Sequence, residues 1–135
     1  MISKEVLFCH GSPGSDMEIL TGATPQERLR EVLAGVQEDV VVCGHTHMQF
    51  DRECDGKRVV NAGSVGMPYG EPGAYWLLLG PDVSLRKTNY NLEAAADLVR
   101  KTEYPLAQDF AANNILKPET AQEAIEYFEK MASKG

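Results

Sequence analysis

The chain has 135 residues with 20 acidic and 13 basic side chains, a net charge of −7. That length suits one domain with a real core, and without a cluster of Lys and Arg the chain has poor electrostatic means of holding a nucleic-acid backbone. No apolar run approaches the roughly 20 residues of a membrane span, and Met1 to Glu5 lack the features of a signal peptide, so no membrane partner and a cytoplasmic location are expected.

Glu5 to Cys9 predict a first strand. Residues 10–23, rich in Gly, Ser, Thr and Asp, predict a long loop of the kind that often carries function. Thr24-Pro25-Gln26-Glu27 predicts a helix start, with Thr24 as cap, Pro25 at the first position and Glu27 at the third. Leu29, Val32, Leu33 and Val36 share one face and carry the helix to about residues 33–34, with Gly35 near its end. Val40 to Cys43 is apolar without alternation, as expected of a strand covered on both faces. The strand–helix–strand order implies parallel pairing and a right-handed crossover.

Met48 to Cys54 and Lys57 to Ala62 flank Asp55-Gly56, a type I′ hairpin signal. Asn61 to Pro68, with Gly63 and Gly66, predicts a tight backbone segment. Ala74 to Leu79 predicts a strand, Gly80-Pro81-Asp82 a turn, and Val83 to Tyr90 an alternating strand nearer an edge. Asn91 caps a helix with Leu92, Ala95, Ala96 and Val99 on one face. Pro105 opens a short second helix. Pro118 opens a third, whose stripe of Ala121, Ala124, Ile125, Phe128 and Met131 is expected to pack on this domain. The result is a single α/β domain, strand-rich over 1–90 with a helical tail over 91–135.

An odd number of cysteines, Cys9, Cys43 and Cys54, argues against a disulfide framework. Cys9 and Cys43 lie inside apolar runs and read as small buried hydrophobes. A mixed Cys/His zinc site is the lesser alternative, since Cys-x-x-Cys spacing is absent.

The strand 40–43 ends in Gly44-His45-Thr46-His47. In extended chain, residues two apart point to the same side, so His45 and His47 would present both imidazoles in one direction with Thr46 facing away. Neutral imidazole is the commonest metal ligand; the competing reading is a strand end with two surface histidines. His10-Gly11 repeats the design after the first strand, and these are the chain's 3 histidines. Sites in open α/β sheets form outside the carboxyl ends of strands. Two adjacent parallel strands would therefore bring His10, His45 and His47 together as a candidate metal site. The acidic balance of the chain also suits cations.

His10-Gly11, Gly44-His45-Thr46-His47 and Asn61-Ala62-Gly63-Ser64-Val65-Gly66 together resemble the calcineurin-like metallophosphoesterase superfamily, in particular its small phosphodiesterase-like members. Ala62 stands where Pro is usual. The resemblance implies the C-terminal half of a two-sheet α/β sandwich with a two-metal site at strand ends. His10 and His45 would bind one metal, and His47 the other through its side chain or backbone carbonyl. Gly11, Gly44, Asn61, Gly63 and Ser64 would border the substrate pocket. The implied cofactors are divalent ions: Mn, Zn, Fe, Ni or Mg. Two cations ~3.5–4 Å apart clamp a phosphoryl group and acidify a water for in-line attack. The implied substrate is a phosphate mono- or diester.

The family's other motifs, Asp-x-His, Gly-Asp and Gly-Asn-His, are absent, so no catalytic residue is identifiable in this half. The chain alone is expected to be inactive, with a missing N-terminal half or self-association at an exposed sheet edge as its partner. The alternatives are a non-catalytic metal-binding or interaction module, or a fragment without a function of its own.

Overall fold

In the computed structural model, which describes residues 4–134, two sheets carry the strand-rich part of the chain. The elements in order are β1 (Val6–Phe8), α1 (Gln26–Val32), β2 (Val40–Cys43), β3 (Phe50–Cys54), β4 (Lys57–Asn61), β5 (Ala74–Leu79), β6 (Val83–Thr88), α2 (Leu92–Arg100), α3 (Ala107–Phe110) and α4 (Ala121–Ala132). A π-helical turn, Ala111–Leu116, continues α3.

The larger sheet has the order β1-β2-β4-β3. β2 is parallel to both β1 and β4, while β3 returns antiparallel to β4. Every residue of β2 is buried, as its unalternated apolar run requires. Leu29 of α1 and Leu33 at its C-terminal cap pack on Val41, Cys43, Phe50 and Val59 of the sheet, which forms the main core. Asp55 and Gly56 both take positive φ, 50° and 79°, in the turn between β3 and β4, the type I′ geometry that matches strand twist. The smaller sheet is the antiparallel ribbon β5-β6. Gln49 Nε2 lies 3.0–3.1 Å from the carbonyls of Ala62, Trp76 and Arg86, so one side chain ties the ribbon to the end of the larger sheet.

Several boundaries differ from the sequence reading. β3 starts at Phe50 rather than residue 48, and β6 ends at Thr88. Thr24 does not cap α1, whose cap position is Pro25 without a side-chain bond. The Thr24 hydroxyl accepts from Thr21 N (2.8 Å) and donates to Glu129 Oε1 (3.2 Å), so tertiary partners take it. Pro118 lies before α4 rather than opening it. Thr120 is the cap, in a reciprocal capping box with Glu123 that satisfies two otherwise orphan N–H groups.

Asn91 caps α2 as its sequence predicts, its Oδ1 accepting from Ala94 N at 3.0 Å. A second small core of Ala96, Ala111 and Ile115 holds α2 against the π-helical turn. Hydrogen bonds tie the tail to the strand-rich part at two points. Gly70 N donates to Glu119 O (2.7 Å), and Glu129 Oε1 accepts from the hydroxyls of both Thr21 (2.6 Å) and Thr24. Of the predicted stripe on α4, Ala124 is buried and Ile125 and Phe128 are half-buried. Ala121 and Met131 are exposed.

Candidate metal centre

Because β1, β2 and β4 run parallel, their carboxyl ends share one edge of the sheet. That edge collects His10, the Gly44–His47 segment and the Asn61–Ser64 segment. Gly44 N donates to His10 O (2.8 Å), so the backbone pairing of β1 with β2 continues into the site. His10 Nε2 and His45 Nδ1 are 3.1 Å apart, with ring centroids 4.9 Å apart and planes inclined by 64°.

The segment after β2 is not extended. His45 and His47 have φ of 71° and 60°, the left-handed region that is uncommon for residues other than glycine and that collects at functional sites. The two imidazoles therefore do not project side by side as an extended strand would have them. His45 turns to His10. His47 turns to the loop after β4, where its Nδ1 lies 2.9 Å from Met67 O. A carbonyl only accepts, so Nδ1 carries the proton and Nε2 keeps its lone pair. Fixing one ring nitrogen on a carbonyl is how proteins orient a histidine for ligation or proton transfer through the other. The His47 ring also stacks on Tyr69, centroids 6.1 Å apart at 26°.

Two buried polar residues hold this geometry. Thr46, fully buried, donates its hydroxyl to Leu20 O (2.9 Å). Asn61, also fully buried, donates Nδ2 to Gly44 O (2.8 Å) and Thr46 Oγ1 (3.1 Å), and its Oδ1 accepts from Gly63 N (2.8 Å). The end of β4 thus grips the histidine segment after β2.

The five residues expected to border a pocket shape the backbone around the histidines. Gly11 allows the loop to fold back against its own backbone, next to His10: a Cβ there would meet the carbonyl oxygens of Glu18, Ser15 and Asp16 at 2.6–2.9 Å. Gly44 bonds to His10, as above. Asn61 is the clamp. Gly63 has φ of 83° and lies where a Cβ would stand 2.8 Å from Gln49 Cγ and Tyr75 Cβ. Ser64 Oγ accepts from Met67 N (2.9 Å), which places the carbonyl that orients His47.

Sequence reasoning missed the roles of Ser12, Met67 and Tyr69. Ser12 organises the loop after β1, its Oγ accepting from Gly14 N and Ser15 N (3.2 and 3.1 Å) and donating to Glu18. The same loop returns Asp16 to the neighbourhood of His45. Met67 and Tyr69 set the orientation of His47. Only the turn-forming Ser and Gly composition signals any of this, because a carbonyl or an aromatic partner has no spacing signature of its own.

His45 has its pKa lowered, first by burial and then by the neighbouring His10 and His47, with Asp16 opposing. Its imidazole stays neutral, and so available as a ligand, to lower pH than an isolated histidine. Burial raises the thiol of half-buried Cys9 and pushes that of buried Cys43 up to about 12, which favours the protonated thiol at both.

Among the described residues no three His, Cys, Asp or Glu side chains gather into a metal-holding group. The His10–His45 contact is at hydrogen-bond distance, and its nitrogen separation also matches that of two ligands on one ion. Two imidazole nitrogens each about 2.0–2.1 Å from one ion at cis or tetrahedral angles are about 2.9–3.4 Å apart, and the observed separation is 3.1 Å.

A profile of the calcineurin-like phosphoesterase superfamily domain matches residues 2–80. No curated protein matches the chain. Among solved structures, a hypothetical protein from Pyrococcus horikoshii aligns with TM-score 0.70 and 17% identity over 87% of this chain and 48% of its own. A metallophosphoesterase from Sphaerobacter thermophilus aligns with TM-score 0.68 and 20% identity over 83% of this chain and 56% of its own. Both likenesses concern the fold, and the chain spans about half the length of each.

Proposed function

The chain belongs to the calcineurin-like phosphoesterase superfamily, and from that premise we propose that it carries the histidine half of a metal-dependent phosphoesterase site. The observation that supports this most is the 3.1 Å separation of His10 Nε2 and His45 Nδ1 at the carboxyl ends of two parallel strands. His10 and His45 would hold one divalent ion. His47, with its Nδ1 on Met67 O, would offer Nε2 to a second ion or to the substrate. Divalent ions in such a site supply Lewis-acid activation of the phosphoryl group and a nucleophile at neutral pH. Zn, Mn, Fe, Ni and Mg are the candidate ions, imidazole favouring the transition metals. The chain's own residues set direction and protonation: Asn61 and Thr46 hold the segment, Gly11 lets the loop pack tightly beside His10, and Met67 fixes the tautomer of His47.

Hydrolysis of a phosphate mono- or diester needs carboxylates to bridge two ions and a further acid to assist the leaving group. No third ligand is gathered on the histidine pair among the described residues. The proposed partner is therefore an N-terminal half of the fold. A dock for it lies at β1, whose outer edge has no strand partner among the described residues and whose Phe8 is 63% exposed. Trp76 and Leu78 add an exposed apolar stretch along β5, at 39% and 40%. The same edge favours the second reading, a non-catalytic module that docks through it or self-associates.

Calorimetry with Mn or Zn on the wild type, His10→Ala and His45→Ala tests the metal assignment. Binding by the wild type and its loss in both variants is expected, and equal binding by all three refutes it. Hydrolysis of bis-p-nitrophenyl phosphate tests the rest. The chain alone should turn over little, and co-expression with a fragment bearing Asp-x-His and Gly-Asn-His should raise turnover. A fragment that binds without raising it favours the module. Substantial turnover by the pure chain, abolished by His45→Ala, overturns the account of missing ligands.

A further inference from the structure

α4 carries Tyr127 and Phe128 side by side in sequence, and the loop after β4 brings Tyr69 against them. Phe128 meets Tyr69 at 5.8 Å between centroids and 76° between planes. It meets Tyr127 at 5.6 Å and 67°. Two phenol rings thus each make an edge contact with one phenyl ring. With Glu119, Glu123 and Ala124 these rings line an open cavity of about 530 Å³. That is the size range of small-molecule sites, about 300–1,000 Å³.

The charge of this cavity is one-sided. Its lining includes two carboxylates and no Lys, Arg or His. Glu123 uses Oε2 to accept from Thr120 N (3.1 Å) and Oγ1 (2.9 Å), which holds its carboxyl below the usual carboxylate range. The Glu119 carboxylate has no hydrogen-bond or ion-pair partner among the described residues, although its backbone carbonyl is taken by Gly70 N.

The aromatic lining and the carboxylates select the same kind of ligand. An anion is repelled. A neutral apolar group leaves the charges unanswered. A hard metal ion needs several oxygen ligands and draws little from aromatic faces. A small ammonium ion is strongly hydrated and surrenders water reluctantly. An alkylated ammonium presents a diffuse positive charge behind apolar methyl groups, which suits ring faces with acidic neighbours.

We propose that the cavity between the loop after β4 and the tail helix α4 is a binding site for an alkylated ammonium group, with Tyr69, Tyr127 and Phe128 as its walls and Glu119 and Glu123 as its counter-charges. Tyr69 is also the ring that stacks on His47, so the site adjoins the candidate metal centre. Binding here requires neither metal nor turnover and stands independently of phosphoester hydrolysis.

The test is a titration of the full chain with choline chloride at constant ionic strength, followed by the aromatic proton resonances. The neutral isostere 3,3-dimethylbutan-1-ol is titrated in parallel. Choline should give saturable shifts of the Tyr and Phe ring resonances, and the isostere should bind more weakly. Tyr127→Ala should weaken choline binding by about two- to fivefold, the factor equivalent to ~0.5–1 kcal/mol for one exposed cation–π contact. The Tyr127 ring is 60% exposed, so the variant should keep the wild-type thermal midpoint. Glu123→Gln keeps a capping-box residue while removing the charge, and Glu119→Gln removes the unpaired charge; each should also weaken choline but leave the isostere unchanged. Absence of a saturable shift overturns the proposal. So does equal binding of choline and isostere, or undiminished choline binding in both glutamine variants.

Discussion

Replacing Asn61 with Ala should uncouple the end of β4 from the histidine segment. The side chain makes three hydrogen bonds, to Gly44 O, Thr46 Oγ1 and Gly63 N. At a net ~1 kcal/mol each these sum to about 3 kcal/mol. The deficit is moderated where partners keep a second bond. Gly44 O still accepts from Thr46 N (2.8 Å), and Thr46 Oγ1 still donates to Leu20 O. Gly63 N loses its acceptor, and an orphaned donor costs about 1–3 kcal/mol. The expected loss is about 2–4 kcal/mol, a large part of the ~5–15 kcal/mol typical of a domain. The clamp also opposes the left-handed strain at His45 and His47, about 1–3 kcal/mol for each such residue. Metal binding should therefore weaken together with stability. Urea unfolding measures the first effect and calorimetry with Mn or Zn the second. Thr46→Val removes the hydroxyl at nearly constant shape. A double-mutant cycle with Asn61→Ala should give a coupling of at least ~0.5 kcal/mol, as for residues in direct contact. A loss below ~0.5 kcal/mol for Asn61→Ala, with no coupling to Thr46, would refute the clamp.

Gly11→Ala should destabilise by about 1–3 kcal/mol and impair metal binding, because the new methyl would stand within 3 Å of three backbone carbonyl oxygens that cannot swing away; wild-type urea midpoint and metal affinity would contradict this. Glu129→Ala should release the tail from the loop at Thr21 and Thr24, seen as faster limited proteolysis near α4 with the strand-rich core intact. Cys43 is raised from 9.0 to about 12, first by burial and then by Cys9. Between pH 9.0 and about 12 the unfolded chain loses this proton before the folded one does, so the stability it contributes is complete below pH 9.0 and is lost as pH rises through that window. At pH 8 thiol reagents should leave Cys43 unlabelled until urea unfolds the chain, and native labelling there would show the burial to be wrong.

The sequence by itself determines the order of the main strands and the edge on which the candidate site lies. The unalternated run of β2 and the Asp55-Gly56 turn are local patterns, written by burial and by the φ each residue tolerates. Parallel pairing follows from strand–helix–strand order, and parallel strands oblige their carboxyl ends to share an edge, so His10 and His45 meet without any contact being known in advance. The clustering of Asn61, Gly63 and Ser64 with the histidines follows from the same register, β4 lying beside β2. Tertiary structure decided what depends on partners distant in sequence. The left-handed turn at His45 and His47 is held by the bonds of Asn61 and Thr46, which no spacing predicts, and it separates rings that an extended strand would have aligned. Thr24 and Thr120 have the same capping chemistry, yet only Thr120 caps a helix, because the tail residue Glu129 and the loop residue Thr21 engage the hydroxyl of Thr24. The cage of Tyr69, Tyr127 and Phe128 likewise exists only where the tail folds back on the loop after β4, joining rings more than 55 residues apart in the chain. Local preference sets what each segment can form; competition among distant hydrogen-bond and packing partners decides which of those forms the fold keeps.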